Sequence, residues 1–187
     1  MGTYLGWFLA AVPGFLWLAA IVTALSAGLA WWRSRRLGWR SAISDTLPDT
    51  TLLFALAAIA ALTLGEPLDT QPYRINLIPF RDQLWALEGR VEPAVAVTEL
   101  VANVVLFVPL GSALAVRHPS ASRWWIAGAA AAISVAVEVA QGVMNTGRLA
   151  DVTDVLANTA GAVLGASLWG AIASGGRPGE RSASAPD

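Results

Sequence analysis

Asp151 and Asp154 are three residues apart, and Asn158 follows four residues later. A helix turns about 100° per residue, so this spacing places two carboxylates and an amide on one narrow face. Glu138 and Gln141 are three apart, Glu99 and Asn103 four apart, and each pair shares a face in the same way. Arg148 stands just ahead of the two aspartates, while Arg74 and Asn76 lie in a long connection upstream. Carboxylates in such a set act as general acids and bases or hold a divalent cation. Guanidinium groups grip phosphate or carboxylate, and amides orient what is gripped. Asp151, Asp154 and Glu138 are therefore the candidate catalytic residues and the candidate metal ligands. Arg148, Arg74, Asn76, Asn103, Gln141, Asn158 and Glu99 are the candidate substrate-binding residues.

Simpler roles compete with each of these. Asp in a first helical turn favours the helix dipole, which explains Asp151 well, Asp154 in part and Asn158 not at all. Glu138, Gln141 and Asn103 fit an interhelical hydrogen bond equally well. Arg148 fits an interfacial anchor. The spacing Gly161-x-x-x-Gly165, with Ala157 one step earlier, reads as a helix-packing face, and Pro109 and Gly111 as a kink and a close approach. The single histidine, His118, stands next to Pro119 in a short basic loop; with no G-x-S-x-G present, this argues against serine catalysis.

These residues sit in a very apolar chain. Of 187 residues, 56% are hydrophobic and 13% charged, and the mean hydropathy is +0.57. An ordinary soluble domain carries about 25% charged residues. The composition excludes a disordered chain, a disulfide-framed module and a basic nucleic-acid binder. With no cysteine there is no thiol nucleophile and no thiolate metal site. Five apolar stretches are expected to cross a bilayer as helices, at about 4–32, 47–64, 97–116, 124–144 and 152–173. The fold expected is all-α: a polytopic transmembrane bundle forming a single domain over 1–173. The Ser/Gly/Pro-rich tail, 174–187, reads as disordered and cytoplasmic.

Every basic residue is arginine. Eight of the twelve fall in 33–49, 117–123 and 174–187, which five crossings put on one side. That side is expected to be the cytoplasm, giving an N-out, C-in topology. Counted from the span ends, Asn103, Asn158 and Glu138 each lie about 9 Å inside the outer boundary. Glu99, Glu138, Asp151 and Asp154 are too costly to face lipid and should face one another or water. Arg148, with Arg74 or Arg81, offsets part of their charge. The remainder calls for protonation of some carboxylates or for a bound divalent cation. The outer connection, 65–96, contains the amphipathic piece Leu84-Trp85-Ala86-Leu87, which suits the headgroup region, and the connection is expected to pack on the bundle as a lid.

Four stretches carry a resemblance: Asn76-Leu77-Ile78-Pro79-Phe80, Asn103 through Gly111, Glu138-Val139-Ala140-Gln141, and Arg148-x-x-Asp151-x-x-Asp154-x-x-x-Asn158-Thr159-x-Gly161-x-x-x-Gly165. In this order and spacing they resemble the VanZ-like family of bacterial membrane proteins, over about 74–170; the first two spans and the tail carry no such motif. The family's founding member is associated with resistance to the glycopeptide teicoplanin. The resemblance therefore implies a multi-pass protein of the bacterial plasma membrane with a cell-envelope role, and it supplies no reaction. The expected partners are the bilayer and an amphiphilic envelope molecule such as a lipid-linked wall precursor, with no nucleic acid. The chain is expected to act on such a molecule. The alternatives are a non-catalytic lipid binder or transporter, and a structural partner of another envelope protein through its small-residue faces.

Overall fold

A computed structural model describes the backbone of residues 2–63, 74–143 and 149–175, with side chains over 16–63, 75–141 and 150–174. The helices are α1 (Gly2–Leu37), α2 (Trp39–Thr63), α3 (Arg81–Leu87), α4 (Pro93–Arg117), α5 (Arg123–Val143) and α6 (Val152–Gly175). Two three-residue strands, β1 (Arg74–Asn76) and β2 (Leu149–Asp151), complete the described elements. All helices but α3 are long and apolar enough to cross a membrane, which is the all-α bundle of five spans that the sequence predicts. Most of the expected tail, 176–187, lies outside the described residues.

The first connection differs from expectation. Residues 33–49 were expected as a loop, but only Gly38 separates α1 from α2. Gly38 takes the left-handed conformation, φ +78°, and its N–H donates to Ser34 O at 3.1 Å, closing α1 in the usual glycine manner. The polar residues that suggested a loop are divided between the end of α1 and the start of α2, and Arg33 of α1 pairs with Asp49 of α2. Arg33 reaches across to Asp49 at 2.8 Å and donates to Asp45 O and Thr46 Oγ1. Arg117, the last residue of α4, joins the same Asp49 at 3.3 Å. One carboxylate thus ties three helices together at this end of the bundle.

The core is shared by α2, α4, α5 and α6. It contains Ala55, Ile59, Phe107, Leu110, Leu114, Ile126, Ala130, Ala162 and Ala166. The α1 helix packs chiefly on α2, outside that core.

The largest helix interface joins α4 to α6, which are not consecutive in the chain. Gly161 meets the backbone of Val104, and Gly165 meets that of Val108. Equal steps along both helices mean that they run parallel. A Cβ on either glycine would collide with a carbonyl, as would one on Gly111 with Ala162. Ser112 Oγ donates to Gly165 O at 3.0 Å across this seam. The small-residue face read from the sequence is therefore used within the chain. Such close backbone approach is how membrane helices gain packing without a hydrophobic driving force.

At the opposite end from Asp49, β1 and β2 pair in parallel, with Arg74 opposite Leu149, Ile75 opposite Ala150 and Asn76 opposite Asp151. No strand was expected here. Three residues carry no periodic signal, and the pairing joins segments more than 70 residues apart. The ladder fastens the long connection after α2 onto the start of α6.

Candidate functional site

β2 runs directly into α6, so Asp151 stands at the helix N-terminus. Its Oδ1 accepts the Thr153 N–H at 2.7 Å, the capping bond expected of Asp in this position. Its other oxygen does something that capping does not require: Oδ2 accepts from Asn76 Nδ2 at 2.7 Å. Asn76 is almost wholly buried. Its Oδ1 accepts the Ile78 N–H at 3.1 Å, and its Nδ2 also lies 3.2 Å from Ile78 O. The ladder register brings Asn76 and Asp151 opposite each other, and the tight turn holds the Asn76 amide in one orientation.

A second fastening lies beside the first. Phe80, at φ +56°, occupies the left-handed region that a bulky residue seldom enters. Its N–H donates to Thr153 Oγ1 at 2.9 Å, so the start of α3 is held against the start of α6.

One turn into α6, Asp154 Oδ1 accepts from Asn103 Nδ2 at 2.6 Å, joining α6 to α4. A turn deeper, the buried Asn158 donates from Nδ2 to Ser134 Oγ at 2.8 Å, joining α6 to α5. Asn158 Oδ1 is also buried and has no hydrogen-bond partner among the described residues. The glycine contacts that set the α4–α6 register put Asn103 at about the level of Asn158, as expected.

Glu138 follows Ser134 by four residues on α5, and Asp154 precedes Asn158 by four on α6. The C-terminal part of α5 packs near β2, so α5 and α6 run in opposite directions. Glu138 and Asp154 therefore share a level, one turn nearer the ladder than Asn158. The half-buried Glu138 thus lies about one turn nearer the ladder than Asn158, whereas the count from span ends puts the two at one level.

Gln141 is buried but takes a different direction. Its Nε2 donates to Thr63 O at 2.6 Å, satisfying a carbonyl left open at the end of α2. Glu99 is exposed and lies one turn before Asn103 on α4. Arg74 contributes its backbone to β1; its side chain and the whole of Arg148 lie outside the described residues.

The arrangement is one of carboxylates facing amides across elements. Asp151 faces Asn76, and Asp154 faces Asn103. Among the described residues, no three His, Asp or Glu side chains are grouped so as to hold a metal ion. Amide-to-carboxyl bonds at 2.6 and 2.7 Å fix the positions of the oxygens they engage. They gather carboxyl and amide groups with defined directions at one end of the bundle.

Two participants escaped the sequence reading. Ser134 is the one hydroxyl in the run 124–137 of α5 and lies one turn from Glu138, so the shared helical face could have revealed it. Thr153 lies between two aspartates and looked like an ordinary first-turn residue. Its role depends on a loop 73 residues away.

Five membrane-length helices around a small-residue seam, with polar groups gathered at one end, define a multi-pass helical membrane protein. The chain belongs to the VanZ/LLP1 family, whose model matches residues 50–173. That match extends the resemblance seen over about 74–170 back into α2, and it leaves out the peripheral α1. Searches of curated proteins and of solved structures return no match.

Proposed function

We propose that this protein is a bacterial plasma-membrane protein, N-out and C-in, whose ladder end faces outward and forms a polar pocket for an amphiphilic cell-envelope molecule. A lipid-linked wall precursor is the natural candidate class. Asp151, Asp154 and Glu138 are its acidic groups; Asn76, Asn103 and Asn158 orient the ligand. Arg148 and Arg74 hold its phosphate or carboxylate. In a catalytic version the acids transfer protons or hold a divalent cation. In a binding version the same groups only recognise the headgroup.

The observation that carries this reading is the pairing of Asp154 with Asn103 and of Asp151 with Asn76, at 2.6 and 2.7 Å, from four separate elements. Asp151 shows why capping alone is a weaker account, since a cap uses one oxygen and here both are engaged. The orientation is supported by the arginine count and by the Arg33–Asp49–Arg117 cluster at the far end. The structural-partner alternative loses its main feature, because Gly161 and Gly165 already pack on α4.

Two substitutions separate the roles. Asp151→Ser keeps a capping oxygen but cannot reach Asn76, whose Nδ2 keeps only Ile78 O, and a stability loss of about 1–2 kcal/mol, short of unfolding, is expected. Asp154→Asn keeps the shape but removes the charge. Both variants are expected to fold and to lose the envelope phenotype, read as glycopeptide susceptibility in a deletion strain. Full complementation by both would sink the reading. Native mass spectrometry of the purified protein distinguishes a retained intact lipid from a released product.

A further inference from the structure

Residues 75–87 are built inside out. The inward-facing side chains are polar: buried Asn76 turns to Asp151, and half-buried Gln83 donates from Nε2 to Ala96 O at 2.9 Å on α4. The leucines and isoleucines point away from the protein. Leu77 is 75% exposed and Leu87 87%, with Ile75, Ile78 and Leu84 each more than half exposed. A loop in water would have the opposite polarity, because exposed apolar area is unfavourable there.

The exposed face is also continuous with a membrane surface. α3 packs on the first turn of α4 at Ala96, and the next residue begins the exposed stripe Val97, Val101 and Val105 along that spanning helix. At the other edge, Trp85 lies between Arg81 and Arg90, whose guanidinium carbons stand 4.5 and 4.4 Å from its ring centroid. Each arginine also meets a carboxylate, Asp82 or Glu88. Trp and Arg in such a group are typical of the headgroup boundary.

We propose that residues 75–87 are seated in the bilayer interface, with their apolar face among the acyl chains, and that they form the lipid-side wall of the polar site. The Asn76–Asp151 bond then lies directly behind a lipid-facing surface, and an amphiphile reaches the site sideways from the membrane. That lateral route rests on the functional reading above; the seating of the segment does not.

The cysteine-free chain allows a direct test. Single Leu77→Cys, Leu84→Cys and Leu87→Cys variants are nitroxide-labelled and reconstituted in phosphatidylcholine–phosphatidylglycerol vesicles. Collisions with oxygen and with a water-soluble nickel chelate give the depth of each label. Val105→Cys is the lipid reference and Ser120→Cys the aqueous one. All three sites are exposed, so labelling leaves the packing intact. The expected depth is about 5–10 Å below the headgroup boundary, with an oxygen-to-nickel ratio at least about threefold that of Ser120. A ratio like that of Ser120 overturns the proposal by placing the segment in water. Low accessibility to both reagents also overturns it, by showing that protein covers the face. Neither result depends on the phenotype of the Asp151 or Asp154 variants.

Discussion

The Asn103–Asp154 bond is the tightest test of whether polar residues in these helices act in pairs. Each residue has an innocent explanation alone, as an interhelical donor or as a first-turn acid. Together they join α4 to α6 at 2.6 Å. A double-mutant cycle of Asn103→Ala and Asp154→Ala is expected to give a coupling of about 1–2 kcal/mol, measured by reversible unfolding in mixed micelles. Additive losses would show that the two do not interact. At this scale the sequence was informative where a charge interrupted an apolar run, as at Asp154 and Glu138. It was silent on Ser134 and Thr153, because a lone hydroxyl in a membrane helix can satisfy itself on its own backbone. Thr159 does this, donating to Val155 O at 2.7 Å.

Among the elements, α4 and α6 decide the geometry. Their glycines let two backbones approach until carbonyls occupy the space of a Cβ. Gly161→Leu or Gly165→Leu is expected to cost more than about 2 kcal/mol or to prevent folding. Gly128→Ala and Gly170→Ala meet nothing within 4 Å and are expected to be near neutral when all four variants are compared by thermal unfolding. A destabilisation equal at all four positions would mean that the seam is not special. The spacing of Gly161 and Gly165 announced a packing face, but not which helix it meets. The start of α2 was misread for a related reason. Asp45 and Asp49 look like loop residues until Arg33 is placed beside them, and that placement depends on a one-residue joint at Gly38. The ladder was illegible for want of length: three residues per strand give no alternation to read, and its bonds run between distant segments.

Over the whole molecule, the two ends are held by different means. At one, Asp49 accepts from Arg33 and Arg117, with both Arg33 and Asp49 about four-fifths buried. Asp49→Ala leaves two guanidinium groups facing each other across three helices, and a loss of about 1–2 kcal/mol is expected in urea or detergent unfolding. An unchanged midpoint would show the cluster to be ornamental. The other end is completed by groups far apart in the chain. Asn103 precedes Asp154 by 51 residues, and Asn76 precedes Asp151 by 75. At about 5–20 residues per second, a ribosome inserts Asn103 some 3–10 seconds before its acceptor exists. The nascent protein therefore passes through a stage with bare amides in or beside an oily layer, and only α6 covers them. A chain cut short before α6 would keep that mark permanently, giving cellular quality control a chemical means of telling unfinished copies from finished ones.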